Sequence, residues 1–230
     1  ISLILDRSDI SPLVDKSQLG EYLLFRTFSG KNTGYLGVHK ILPGEMQIFN
    51  LKSQDDSSFL IPYEQISKLS GEIQPNLDNY VYSMLSLLQM YAQSDVPVSV
   101  CLSGGIDSTM VLYALIKNNI LPACFNISQG HYDPDFKACQ DVLEDLPSLT
   151  CNFIDVLNVN PWNPVNYQAV HARFDGWVHL PNAVYLDKLF EQAAANFKVI
   201  FSGEGADELL GSYNRYNVLP QMLADKYSCE

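Results

Sequence analysis

Val98-Ser-Val-Cys-Leu-Ser-Gly-Gly-Ile-Asp-Ser-Thr109 is the stretch on which the fold of this chain turns. It reads as a buried strand over 97–102, a small hydroxyl-rich turn, and a helix over 108–118. That layout suits an anion cradle. Two glycines, Gly104 and Gly105, let backbone come close to a bound group, and the hydroxyls of Ser103 and Ser108 can donate to its oxygens. A helix start near Ser108 aims free N–H groups and a positive dipole end at the same point. Asp107 is the odd member. A carboxylate beside phosphates makes sense where a divalent cation lies between them.

The turn lacks the Gly-Lys-Ser/Thr ending of a P-loop and the spacing of the dinucleotide fingerprint. The bland alternative is a Gly-Gly turn joining a strand to a helix. A second stretch weighs against it: Lys198-Val-Ile-Phe-Ser-Gly-Glu-Gly-Ala-Asp-Glu-Leu-Leu-Gly211 has the same plan. A strand over 198–202 meets a glycine turn with a hydroxyl, then a helix opened by acids. Asp207 and Glu208 suit a helix start, so the plain reading of Asp207 is a cap. Ser-Gly-Gly-x-Asp-Ser resembles the signature of the PP-loop ATP pyrophosphatases. Ser-Gly-Glu-Gly-Ala-Asp-Glu-Leu closely resembles the second signature of the asparagine synthetases. With both motifs in order, the chain is identified as similar to the synthetase domain of the glutamine-dependent asparagine synthetase superfamily. That superfamily also holds β-lactam synthetases and lasso-peptide cyclases.

The chain has 230 residues, enough for one large domain or a domain plus a remnant. Its 47% apolar and 17% charged residues are ordinary for a globular protein. A net charge of −12 argues against a general nucleic-acid surface and against the tRNA-modifying PP-loop enzymes. The five cysteines (101, 124, 139, 151 and 229) form no Cys-x-x-Cys pair. Cys101, Cys124 and Cys151 sit in apolar, strand-like runs and read as buried free thiols in a reducing compartment. The four histidines show no zinc-ligand spacing. Asn126-Ile127-Ser128 matches a glycosylation sequon but ends an apolar strand, and is read as chance. No leader pattern and no membrane-length apolar run is present, so cytoplasm is the default expectation and no membrane partner is expected. An opening at Ile1, inside an apolar run, reads as a piece of something larger.

Residues 1–70 read as a lead-in segment, a remnant or linker from a glutaminase domain, and 71–230 as the PP-loop ATP-binding synthetase domain, incomplete at its C-terminal end. In the lead-in, Lys16 to Phe25 reads as a short helix, Gly44 to Leu51 as a strand and Ser53 to Ser58 as a loop. Val14-Asp-Lys-Ser-Gln-Leu-Gly-Glu-Tyr-Leu-Leu-Phe25 and Gly37-Val-His-Lys-Ile-Leu-Pro-Gly-Glu45 resemble the passage between the family's two domains. Leu77, Val81, Met84, Leu85 and Leu88 recur at helical spacing to about Ala92. After the first turn come a strand at 122–127, a helix at 133–146 and a strand at 149–154. The helix carries Phe136, Cys139, Val142 and Leu143 on one face. Residues 161–181 read as irregular, and 182–197 as a helix. Alternating strands and helices imply an α/β fold, a parallel sheet with helices on both faces, and both glycine turns at carboxyl ends facing one crevice.

The resemblance implies a two-step reaction. A carboxylic acid attacks the α-phosphorus of ATP, giving an acyl-adenylate and pyrophosphate; ammonia or an amine then attacks the carbonyl and expels AMP. It further implies Ser103, Gly104, Gly105 and Ser108 on the β,γ-phosphates, Asp107 and Asp207 on Mg²⁺, Leu102 and Ile127 beside adenine and ribose, and Ser202 and Gly203 over the nucleotide. Core packing explains Leu102 and Ile127 equally well. Glu204 is flanked by glycines, and the resemblance implies that it faces the acyl-adenylate and handles the proton of the attacking amine; a solvated loop acid is the plain alternative. Asp133-Pro-Asp-Phe-Lys-Ala-Cys-Gln140 resembles the family too, and its acids read as a cap and first turn.

The likeness thins over Phe174-Asp-Gly-Trp-Val-His-Leu-Pro-Asn-Ala-Val-Tyr185. Where the family carries threonines and an arginine for a small acidic substrate, this chain has Trp177, Val178 and Leu180. That lining suits free aspartate poorly, with Arg173 the nearby candidate cation. The family's downstream lysine has no clear counterpart, since Lys226 lies too close to the second motif. Two alternatives follow: a cyclase or ligase acting on a larger acid, and an ATP-binding module without turnover. The partners expected are a glutaminase domain, upstream or in trans, and a second polypeptide or self-association covering an exposed apolar face.

Overall fold

The computed structural model describes residues 13–50, 56–60, 76–174 and 182–213, together with Ile4 and Lys52. Cys229, Lys226, Trp177, Val178 and Leu180 therefore lie outside the described residues. The chain divides into two compact units, 1–76 with 160–184, and 77–159 with 185–230.

In the first unit a 3₁₀ turn, Lys16–Gln18, capped by Asp15, runs into helix α1, Leu19–Phe25. Strands β1, Glu45–Phe49, and β2, Asp56–Leu60, pair antiparallel with Glu45 opposite Leu60. The loop expected over Ser53 to Ser58 thus ends early: Asp56 onward is strand, because the β1 ladder supplies its hydrogen bonds. Glu45 fixes the hairpin start. It takes hydrogen bonds from Lys31 Nζ at 2.6 Å and from the Leu42 N–H at 2.9 Å, which hold its carboxyl down to about 2. Helix α5, Pro164–Arg173, also belongs here and corrects the expectation of an irregular 161–181. Its weak apolar period hid it. Its start signal was nonetheless in the sequence: Asn163 caps the Val165 N–H at 2.9 Å and Pro164 takes the first helical position.

The second unit holds a four-stranded sheet in the order β5–β4–β3–β6: β3 Val98–Cys101, β4 Ala123–Ser128, β5 Cys151–Asp155 and β6 Val199–Phe201. All its pairings are parallel. Period-2 alternation splits its side chains between two cores. Val100, Leu102 and Cys124 point to one face and meet helices α2, Leu77–Tyr91, α3, Ile106–Lys117, and α4, Pro134–Glu144, through Leu88, Leu112, Leu115 and Cys139. Cys101, Phe125, Ile154 and Ile200 point to the other face and meet helix α6, Ala183–Ala194, through Leu189 and Ala193. Helices cover both faces, as the alternating pattern implied. Leu112 and Leu115 are fully buried. Each such leucine contributes roughly 1.5–3 kcal/mol.

From β3 the chain steps through β4 to β5 on one side, then returns to place β6 on the other side of β3. The strand order therefore reverses between β3 and β6. At their carboxyl ends such a reversal opens a crevice.

Candidate active site

The crevice is a cleft of about 270 Å³ in the second unit. Leu102, Ser103, Asp107, Ser108, Ile127, Ser202, Gly203, Glu204 and Asp207 all line it. Of the residues expected at the site, Gly104 and Gly105 alone do not. A larger cavity, about 430 Å³, lies at the opposite, amino ends of the strands, and its walls carry no ionisable side chain.

The first turn is knitted by its own hydroxyls. Ser108 is buried, its Oγ taking the Ser103 N–H at 3.2 Å, sitting 3.0 Å from Ser103 Oγ, and donating to the Gly105 carbonyl at 3.2 Å. Ser103 Oγ in turn accepts the Gly105 N–H at 3.3 Å. The helix begins at Ile106, two residues before the expected start, and no side chain caps it. Its first N–H groups and the exposed Ser103 hydroxyl are the donors this turn offers.

Gly104 owes its place to packing as much as to a ligand. Its φ is +83°, and a Cβ there would overlap the peptide joining Ala138 to Cys139 in α4. The turn is wedged against that helix. Gly203 is needed because the second loop presses on the first: a Cβ would fall 2.8 Å from the Ser108 nitrogen and 2.9 Å from Asp107 Cβ. Gly205 differs again. It precedes the short helix α7, Ala206–Leu210, at φ +93° with open space around it.

The second loop carries the acids. Asp207 is in the first turn of α7, where Gly205 is the N-cap, so the capping role read from sequence is not the one it plays. Its carboxylate accepts instead from the Ser212 hydroxyl, while Glu208 accepts from the Tyr213 hydroxyl at 2.9 Å. Glu204 is exposed on the cleft wall. Below it, burial and then the Glu204 charge push the Cys101 thiol up to about 11.

Sequence reasoning missed Asp135. Asp133 is the cap: its carboxylate accepts the Asp135 N–H at 3.0 Å and the Gln129 N–H at 2.8 Å. Asp135 lines the cleft, its carboxyl raised by burial and then by the neighbouring Asp133 charge. The Asp-Pro-Asp spacing holds the clue, since one acid caps and the second is left over. From sequence, Asn126 reads only as part of a chance sequon, not as a residue of the site. It is 2% exposed, its Nδ2 donates to the Leu102 carbonyl at 2.8 Å, and the Leu102 N–H donates to the Phe125 carbonyl at 2.8 Å. Leu102 is thereby fixed at both backbone groups, and Asn126 is closed to modification as a sequon.

Among the described residues the cleft wall carries five carboxylates, those of Asp107, Asp135, Glu204, Asp207 and Glu208, and no Lys, Arg or His. Such a wall repels a bare polyphosphate. It accepts one accompanied by hard divalent cations, whose preferred ligands are carboxylate, hydroxyl and phosphate oxygens. The donor types suit Mg²⁺, although among the described residues no three acidic, His or Cys side chains converge into a preformed metal site.

The family model described as asparagine synthase matches residues 87–226. Among curated proteins, the chain is 28% identical over 220 residues to the glutamine-hydrolyzing asparagine synthetase 1 of Bacillus subtilis (strain 168), covering 94% of this chain and 33% of that one. It is 25% identical over 208 residues to amidase chyE of Penicillium rubens, covering 80% of this chain and 30% of that one. Among solved structures, the NMN synthetase from Francisella tularensis aligns with a TM-score of 0.41 at 14% identity, covering 62% of this chain and 61% of that one. The chain spans about a third of the length of these two curated relatives.

Proposed function

We propose that this chain, which belongs to the asparagine synthase family, carries the nucleotide-binding and adenylating part of an ATP-dependent, AMP-forming amide synthetase. One observation carries the reading: Gly203 packs its backbone against Asp107 and Ser108, so the two motifs form one wall of one cleft. Adjacent parallel strands bring the two turns together, and the hydroxyls and acids of both motifs line the same cleft.

In this reading the first turn holds the β,γ-phosphates through the Ser103 hydroxyl and the first N–H groups of α3. The buried Ser108 hydroxyl shapes that turn. Leu102 and Ile127, at the ends of β3 and β4, flank adenine and ribose, and Ser202 and Gly203 close over the nucleotide. Asp107 and Asp207, one from each loop, would hold Mg²⁺. The bound cation supplies charge neutralisation for the polyphosphate and the departing pyrophosphate. With the phosphates anchored, the substrate carboxylate attacks the α-phosphorus and pyrophosphate leaves. Ammonia or an amine then attacks the acyl-adenylate carbonyl and AMP leaves. Glu204 faces the cleft free of a cap or packing role, in place to accept the amine's proton.

A second reading within the same chemistry concerns the acid. Trp177, Val178 and Leu180 replace the polar grip that a small dianion needs, which favours a larger or less polar acid than aspartate. The nitrogen donor would come from a glutaminase domain, upstream or in trans, or from the substrate itself.

The test is Mg²⁺-dependent ATP–pyrophosphate exchange over a panel of carboxylic acids including aspartate. Exchange dependent on one acid and abolished in Asp107→Ala supports adenylation and names the substrate. Nucleotide binding without exchange for any acid would leave a binding module instead. Glu204→Gln should keep exchange and lose amide formation; unchanged turnover would remove Glu204 from the mechanism.

A further inference from the structure

The proposed chemistry makes no use of a group of thiols beneath the first turn. Cys124 and Cys151 are register partners on β4 and β5, and Cys139 on α4 meets the same layer. The sulfurs of Cys139 and Cys151 are 3.9 Å apart. Cys139 is fully buried and Cys151 half-buried. A disulfide needs about 2.05 Å between sulfurs, so closing this pair takes less than about 2 Å of movement.

That movement has a defined consequence. Gly104 is wedged against the Ala138–Cys139 peptide, where even a methyl group would not fit. The backbone that carries Cys139 is therefore the surface on which the first turn rests. A close-packed contact passes displacement on, because neither side has space to absorb it.

We propose that Cys139 and Cys151 form a reversible disulfide under peroxide, and that closing it displaces the Ser103–Ser108 turn and weakens nucleotide binding. The binding half rests on the function proposed above; the displacement does not. Peroxide reaches Cys151, the more open partner, and oxidises its thiol to a sulfenic acid with release of water. The Cys139 sulfur then attacks the Cys151 sulfur. The S–S bond forms, the S–O bond breaks, and hydroxide leaves with the Cys139 proton as a second water. Access sets this order: Cys151 is half-buried and Cys139 fully buried, so peroxide meets Cys151 first and Cys139, 3.9 Å away, resolves it. A thiol reductant restores both thiols.

The full chain is treated with hydrogen peroxide, alkylated and mapped by peptide mass, with amide hydrogen exchange followed over 103–108. The expected result is a Cys139–Cys151 cross-linked peptide, faster exchange in the turn, and Mg-ATP binding weakened about tenfold. Dithiothreitol should reverse all three. Cys139→Ser and, separately, Cys151→Ser should keep the reduced protein's exchange pattern and binding after peroxide. Separately alkylated thiols at 139 and 151, a Cys124–Cys139 pair in their place, or a cross-link with unchanged exchange would each overturn the switch. A cross-link with altered exchange but unaltered affinity would overturn its effect on binding. Reduced protein that fails to bind Mg-ATP would overturn the proposed function, while exchange over 103–108 would still decide the switch.

Discussion

The two glycine turns look alike in sequence and are built differently. The turn after β3 is self-supporting: Ser103 and Ser108 knit it internally, and Gly104 locks it against α4. The turn after β6 leans on the first, with Gly203 against Asp107 and Ser108, and its far end is tied by Ser212 to Asp207. One turn is a rigid seat and the other a closing wall. The same residue type, glycine, serves three needs in them: left-handed backbone plus close packing at 104, close packing alone at 203, and left-handed backbone alone at 205. A motif of small residues therefore does not report one physical cause.

Substitutions can separate these needs. Gly104→Ala should cost the most, about 2–4 kcal/mol in denaturant unfolding, because strained backbone and overlap with α4 add together. If its cost equals that of Gly205→Ala, the wedge against α4 is not there. Gly203→Ala comes next, at about 1–3 kcal/mol, and should also weaken Mg-ATP binding by moving Asp107; calorimetric titration reads that effect. Unaltered binding in a folded variant would mean that the two turns do not share a site. Gly205→Ala should cost only about 1 kcal/mol, and Gly205→Asn less, since asparagine tolerates left-handed backbone and the space is open.

The smallest effect concerns the closing wall. The Cys101 thiol, at about 11, is raised first by burial and then by the Glu204 charge. Removing that charge in Glu204→Gln makes the thiolate easier to form. The value should then fall yet stay above that of a free thiol, because burial remains. The pH dependence of Cys101 alkylation measures this. An unmoved profile would place Glu204 away from β3.

Much of this could be read from residue order. Apolar runs, two of them ending in glycine turns, gave the strands of the sheet, and their alternation with helical periods gave its parallel pairing. Helix α5 escaped because its apolar spacing is weak, although Asn163-Pro164 announces its start. β2 escaped in part because a polar strand draws its stability from the partner ladder, which local sequence does not contain. Asp135 escaped because a cap and a first-turn acid look identical until one carboxylate is seen occupied by the Gln129 and Asp135 N–H groups and the other is not.

Local chemistry by itself determined which residues could bind phosphate, hold a cation or move a proton, because those abilities belong to side chains and to short-range backbone form. Tertiary structure decided which of them meet. Strand order, set by long-range pairing, placed β6 beside β3 and so brought Gly203 onto Asp107. Packing between α4 and the sheet placed Cys139 against Cys151 and beneath Gly104. Neither contact is written in any local stretch, since each joins residues that only the sheet and its helices hold together.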